Sequence, residues 1–440
     1  MKKNVFSRSV WGITLSTLLV SGGLASCSSD KSEPYVLQQT DITVNVPESG
    51  FKAVVDQLFK IEVNSVSDEG VAYVWTLDGE TLSNSKRLEY IFPNAGEYEL
   101  KLTATQGTNS FSYTFQVTVG FGDGSITTPE GAKSYITKVF DFMPAVGQFT
   151  NVLPSYEEGD TQEKMNQKVL DAIGNGNRSM ISLGGFGGYV TVGFDHTIEN
   201  KPGLRDFRVL GNAFYSAANP NPDAPVGGSC EPGVIMVAYD KNKNGMPDDD
   251  EWYEIAGSAH NDPEGEAWYQ MAVNAGNDVH TYKNYQITYY RPEKEPSTAE
   301  EKAQYIRWED NQGNSGYKVK NNYHNQPYFP QWFKGEKLTF NGTCLPQNGI
   351  DESGKGTYFV LYKFRYGYAD NEQNAKDDAC IDIDWAVNSK GQKVNLPGVD
   401  FIKIYCGVNQ ENGWLGECST EVTGVEDLHV LGEEVATREE

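Results

Sequence analysis

The chain has 440 residues, with 36 basic side chains against 61 acidic ones and a formal net charge of −25. So acidic a surface, with no basic block, argues against nucleic acid as a partner, because such binding depends on Lys and Arg displacing counterions. Five histidines without a ligand-spaced pair argue against a zinc hydrolase, and beyond the N-terminus no apolar run reaches the ~18 residues a membrane span needs.

The N-terminus orders Lys2, Lys3 and Arg8, the apolar run Val10 to Val20, and small residues ending in Leu24-Ala25-Ser26-Cys27. Basic, apolar, small is the order of a secretory signal. The ending LASC resembles a bacterial lipobox, which implies removal of residues 1–26 and lipidation of Cys27. That cut takes three basic residues and no acidic one, leaving a charge of −28. A polar tether, 27–39, would then carry the body away from the bilayer. Residues 40–120 alternate at period two in strand-length pieces separated by Gly and Asn turns, the pattern of a small β-sandwich. The stretches Tyr73-Val74-Trp75-Thr76-Leu77-Asp78-Gly79 and YIFPNAGEYELKL resemble the PKD-like, immunoglobulin-type module of bacterial surface proteins, which implies a spacer. Trp75 reads as core.

After a linker, 121–133, the composition shifts, and 134–432 reads as one large antiparallel jelly-roll-like sandwich, with 433–440 a tail. The fold class is thus mostly β, with one or two short helices. Asp160 is placed to cap a helix in TQEKMNQKVLDAIG, burying Met165, Val169, Leu170 and Ile173 and ending at Gly174. A second, polar helix is expected over 297–305. The glycine-rich run Leu183 to Phe194 leads into a strand rather than a helix, so close sheet approach explains it better than a phosphate cradle.

Asp240 to Glu251 fits the twelve-residue calcium loop D-x-[DN]-x-[DN]-G-x5-E. Its ligands would be Asp240, Asn242, Asn244, the Met246 carbonyl, Asp248 and Glu251, with Gly245 permitting the turn. A structural Ca²⁺ pinning a strand-strand connection is the expectation. Asp382 and Asp384 in CIDIDWAV stand two apart on an expected strand and so share a face; they are either paired carboxylates for acid/base work or partners of loop amides. Aromatic residues crowd polar loops: Trp308, Tyr323, Tyr328, Trp332 and Trp414, flanked by Asn, Gln and Asp. They form a ligand platform in one reading and fill the core in the other. Beyond Cys27, Cys230, Cys344, Cys380, Cys406 and Cys418 are odd in number and show no CxxC spacing; a Cys380–Cys406 pair and free buried thiols both fit.

The stretches GGFGGYVTVGFDHTIEN, DFRVLGNAF, CEPGVIMVAYDKNKNGMPDDDEWYEIAGS, VDFIKIYCGVNQ and GWLGECSTEVTG are similar to the large domain of PKD-containing surface lipoproteins of gut Bacteroidetes. Members of that group are similar to lipoproteins that capture cobalamin (vitamin B12). The resemblance implies an outer-membrane, surface-exposed binder of a corrinoid, not an enzyme, working beside a TonB-dependent transporter. The alternative is capture of a glycan, as in carbohydrate-binding modules with structural calcium and aromatic platforms. A glycan-active enzyme stands third, since it needs two carboxylates across a groove.

Overall fold

The computed structural model describes residues 35–122, 126–216, 219, 221 and 223–438. The signal 1–26 and Cys27 lie outside the described residues. Among the described residues, no helix is long and apolar enough to cross a membrane.

The first module is a two-layer sandwich. One layer runs Phe51–Val54, Asn109–Gly120, Gly96–Gln106, Ala72–Leu77 and Glu80–Ser83, with the first pair parallel and the rest antiparallel. The other is made of the pairs Leu58–Ile61 with Leu88–Ile91 and Ile42–Val44 with Val63–Ser65. Period-two alternation sends Leu100, Leu102 and Ala104 inward against Val117 and Val119. Trp75 is fully buried and donates its indole N–H to the Lys86 carbonyl at 3.4 Å, so it is core as expected. Asp78 and Gly79, both at positive φ, form the tight hairpin turn that the pair Asp-Gly favours. Phe121 then packs edge-on to Tyr239 and Tyr253, joining this module to the larger one.

The larger region is also mostly β. Its backbone is a six-stranded antiparallel sheet in the order Lys138–Met143, Tyr189–Glu199, Gly398–Cys406, Gly233–Ala238, Trp252–Ile255 and Ala386–Val387. Its central strands are apolar almost throughout because both faces are covered. Ile235 and Ile404 face one core, shared with the helix Gln162–Ile173. Val234 and Tyr405 face a second core, shared with a four-stranded sheet in the order Ser315–Lys318, Ile306–Asp310, Tyr282–Tyr290 and Lys337–Cys344. Another four-stranded sheet (Phe214–Tyr215, Gly227–Ser229, Phe359–Tyr362, Gly349–Asp351) and a three-stranded one (Cys380–Ile381, Phe207–Leu210, Gly424–Asp427) complete the body.

The helix buries Met165, Val169 and Ile173, while Leu170 is only partly covered. Its cap is Thr161, whose hydroxyl accepts the Lys164 N–H, and not Asp160. Asp160 lies one residue too early; it accepts the Glu157 N–H and pairs with Lys168 at 2.6 Å. Gly174 follows the helix in extended conformation and donates its N–H to the Leu170 carbonyl at 2.9 Å, where a Cβ would crowd that same oxygen at 2.8 Å. The polar helix is Ala299–Ala303, with a Thr298/Glu301 capping box; short helices Tyr269–Ala275 and Leu428–Leu431 were not foreseen. In the glycine-rich run, a Cβ on Gly187 would lie 2.2 Å from Phe340 Cβ in the strand Lys337–Cys344, and one on Gly188 would lie 1.9 Å from the Leu183 carbonyl oxygen within the run itself.

Asp382 and Asp384 do not share a strand face. The strand stops at Ile381, and Asp382 caps a 3-10 turn, Ile383–Trp385, by accepting the Asp384 N–H at 2.8 Å. Asp384 accepts the Asn200 amide at 3.0 Å. Both are partners of loop amides. The five cysteines other than Cys27 are buried free thiols, so Cys380 and Cys406 are not bridged.

Candidate ligand-binding cleft

Three loops and the ends of two sheets enclose a cleft of about 390 Å³. The loops carry Gln148 and Phe149, Asn321 to His324, and Asn412 to Glu417; the floor carries Ser229, Glu231, Ser419 and Glu421. Gln148 ties the loops together. Its N–H donates to Glu417 at 2.6 Å, its side-chain amide donates to the Leu415 carbonyl at 2.8 Å, and it accepts from the amides of Asn321 and Gln326. Asn321 also folds its own loop by accepting the N–H groups of Tyr323 and His324, both at 2.9 Å. The Trp414 loop turns through Gly413 and Gly416, both at positive φ, where a side chain would be strained.

At the mouth, Tyr323 is 71% exposed and Trp414 50% exposed, and their rings meet edge-on with centroids 6.2 Å apart. Large aromatic rings left in water beside a concavity are the informative exception to burial.

The floor is acidic. Glu231, Asp370 and Glu421 bring carboxylate oxygens within 4.8 Å of one another. Glu231 accepts the Ser419 N–H and the Ser229 hydroxyl, both at 3.0 Å. Asp370 accepts the N–H groups of Asn212, Ala213 and Glu421 at 2.8–2.9 Å. Glu421 accepts the hydroxyls of Ser182 and Ser419. Among the described residues no Lys or Arg forms an ion pair with any of the three, or with Glu417. Burial, and for Glu231 and Asp370 the neighbouring carboxylates, push both of those well above the carboxylate range. Burial lifts Glu421 to about 7, and burial together with Glu411 lifts Glu417 to about 8. Like charges this close cannot all ionise in a dry site, so the floor either keeps protons or meets positive charge and hydrogen-bond donors from outside. It could receive a cation or the hydroxyls of a ligand.

The expected ligand residues divide. Tyr323 and Trp414 come together at this cleft. Trp308 is partly buried and lines a different cleft. Tyr328 and Trp332 are not loop-surface residues: Tyr328 is 1% exposed, and Trp332 stacks between Phe142 and Tyr156 and donates its indole N–H to Gln162. Each had looked exposed because Asn, Gln and Pro surround it in sequence. Sequence reasoning missed Gln148, Glu231, Asp370, Glu417 and Glu421, which lie far apart along the chain and match no spacing rule. The one available signal was Glu417 and Glu421 bracketing the otherwise uncharged CST in ECSTE.

The loop Asp240 to Glu251 joins the antiparallel strands Gly233–Ala238 and Trp252–Ile255 without flanking helices. Asp240 accepts the N–H groups of Asn244 and Gly245 at 3.1 and 2.7 Å, and Asn244 accepts that of Met246 at 2.7 Å. Asn242 and Asn244 both donate to Asp248, at 2.6 and 2.8 Å. Gly245 takes positive φ, as the loop requires. Glu251 is 1% exposed, accepts the N–H groups of Lys241 and Asp248, and is pushed up by burial. These bonds tie five of the six predicted ligand positions into one turn by their side chains, but the carboxylates of Asp240, Asp248 and Glu251 are not gathered within 4.8 Å of one another.

No family model matches the chain, and no curated protein does. Among solved structures, a SusE-like protein is 10% identical over 88% of this chain and 97% of its own, with a TM-score of 0.21. A structure of carbohydrate-binding modules from the β-sandwich superfamily is 11% identical over 91% of this chain and all of its own, at 0.17. A quinoprotein alcohol dehydrogenase-like protein from Bacteroides thetaiotaomicron is 13% identical over 22% of this chain and 23% of its own, at 0.15. At such scores none of these likenesses carries an argument, and the reading of the cleft rests on its own residues.

Proposed function

We propose that this chain is a glycan-binding lipoprotein of the cell surface, anchored through Cys27, whose cleft between Gln148, Tyr323 and Trp414 receives a sugar residue. The observation that carries this reading is the exposed Tyr323/Trp414 pair standing over buried carboxylates that lack a basic partner. A sugar ring has an apolar C–H face and a rim of hydroxyls. An indole or phenol covers the first, and carboxylates and amides accept from the second. The cleft volume of about 390 Å³ suits one or two sugar rings rather than a corrin macrocycle with its amide arms. A binding role is favoured over hydrolysis because the floor carboxylates gather on one wall, within 4.8 Å, instead of straddling a groove. In this reading Ca²⁺ in the loop Asp240 to Glu251 is structural, and lipid anchoring holds the binder beside a TonB-dependent transporter, raising the effective concentration of cargo there.

The test is a glycan array probed with the mature chain, followed by calorimetry with any hit and, in parallel, with cyanocobalamin. Binding to a glycan that is lost in Trp414→Ala supports the reading. Binding to cyanocobalamin alone would replace it with corrinoid capture.

A further inference from the structure

Trp308 lines a second cleft, of about 280 Å³, to which the segment leading into the Trp414 loop contributes Asn409. Its ring lies across Gly316, its cross-strand partner, where a Cβ would come within 3.0 Å of the indole; glycine there lets the ring lie flat on the neighbouring strand. Two carboxylates flank it. Asp310 is fixed by the Tyr285 hydroxyl at 2.8 Å and the Asn314 amide at 3.0 Å. Asp278 is fixed by the Tyr282 hydroxyl at 3.0 Å and by His280 at 2.8 Å. Asn409 completes the wall, donating to the Tyr285 hydroxyl at 3.0 Å. A half-covered indole, two oriented carboxylates and an amide repeat the chemistry of the first cleft.

The two clefts share their framework. Asn409 lines one, and Asn412 and Trp414, three and five residues further on, line the other, so that the chain from Asn409 to Trp414 spans at most about 18 Å. Lys318, 4% exposed in its side chain, fastens this stretch by donating to Asn409 at 3.1 Å and pairing with Glu411 at 3.0 Å. Lys318 also ends the strand next to that of Trp308 and leads directly into the loop of Asn321 and Tyr323.

We propose that the Trp308 cleft is a second saccharide subsite, so that the protein grips a polysaccharide chain at two points across the Asn409 to Trp414 loop. This rests on the glycan reading of the first cleft. Two linked weak contacts give a joint affinity far above either, because the second forms at high effective concentration.

The experiment is affinity electrophoresis of the mature protein in gels containing starch, xylan, mannan or mixed-linkage β-glucan, repeated by calorimetry with the matching di- and hexasaccharides. The expected result is that Trp308→Ala weakens polysaccharide and hexasaccharide binding by about 10-fold or more while disaccharide affinity at the Trp414 cleft is unchanged, and that Trp308→Phe recovers part of the loss. The unchanged disaccharide binding serves as the folding control. Equal affinity of wild type and Trp308→Ala for every ligand would overturn the second subsite and leave the first cleft standing. No retardation of the wild type by any of the four polysaccharides, with no hit among the oligosaccharides, would overturn both.

Discussion

The rings of Tyr323 and Trp414 meet edge-on at 6.2 Å although they stand 91 residues apart in the chain. Neither is buried, so truncating either costs little packing. Trp414→Ala and Tyr323→Ala should therefore leave the melting temperature within about 2 °C of wild type, as surface changes do, while lowering ligand affinity by about 1–3 kcal/mol each. Melting curves beside titrations of the same samples check this. A large fall in melting temperature would recast the pair as structural.

Stability should fall as pH rises from about 5 to 8. Glu417 is raised to about 8 and Glu421 to about 7 in the folded chain. In the unfolded chain both ionise near 4.5, so above that value the unfolded state releases protons that the folded state keeps. The stability these groups contribute is complete below 4.5 and drains as pH climbs through 7 and 8, by a total of about a few kcal/mol. Glu417→Gln keeps an oxygen for the Gln148 N–H and removes one titration. Its denaturant midpoint should vary less between pH 6 and 8.5 than that of wild type.

Calcium should stabilise the fold. An ion held by Asp240, Asn242, Asn244, the Met246 carbonyl, Asp248 and Glu251 binds only the folded loop, so saturating it a hundredfold above its dissociation constant adds about 2.7 kcal/mol. A rise in melting temperature of a few degrees in millimolar Ca²⁺, reversed by chelator and absent in Glu251→Gln, is the expected pattern. Identical curves with and without chelator would remove the ion.

Trp332 should behave as core. Trp332→Ala empties a space between Phe142 and Tyr156 and should cost about 3–5 kcal/mol, read as a shift in the urea midpoint. At temperatures where the variant is still folded, ligand affinity should equal wild type, in contrast to Trp414→Ala.

Much of the fold was legible because it depends on local patterns. Period-two alternation placed Leu100 and Leu102, and the face of Met165, Val169 and Ile173 placed the helix. The turn Asp240 to Glu251 was legible as a strand-to-strand connection because its residues are contiguous. The cleft floor was not, since Glu231, Asp370 and Glu421 meet only through the pairing of distant strands. Sequence neighbours also mislead about exposure: the polar surroundings of Tyr328 and Trp332 are loop residues bonded to the body, and the rings point inward. Asp382 and Asp384 failed for a related reason, because alternation predicts a shared face only while the strand continues, and it ends at Ile381.

Gln148 has a consequence for the thermodynamics of capture. By bonding at once to the Trp414 loop, the Asn321 loop and the segment at Gln326, it fixes both aromatic walls before any ligand arrives. The entropy of ordering those loops is spent during folding and is absent from the association step. Under the glycan-binding proposal, recognition would then be rigid docking, with the free and occupied walls nearly superimposable and with selectivity set by the shape of the ligand rather than by loop closure.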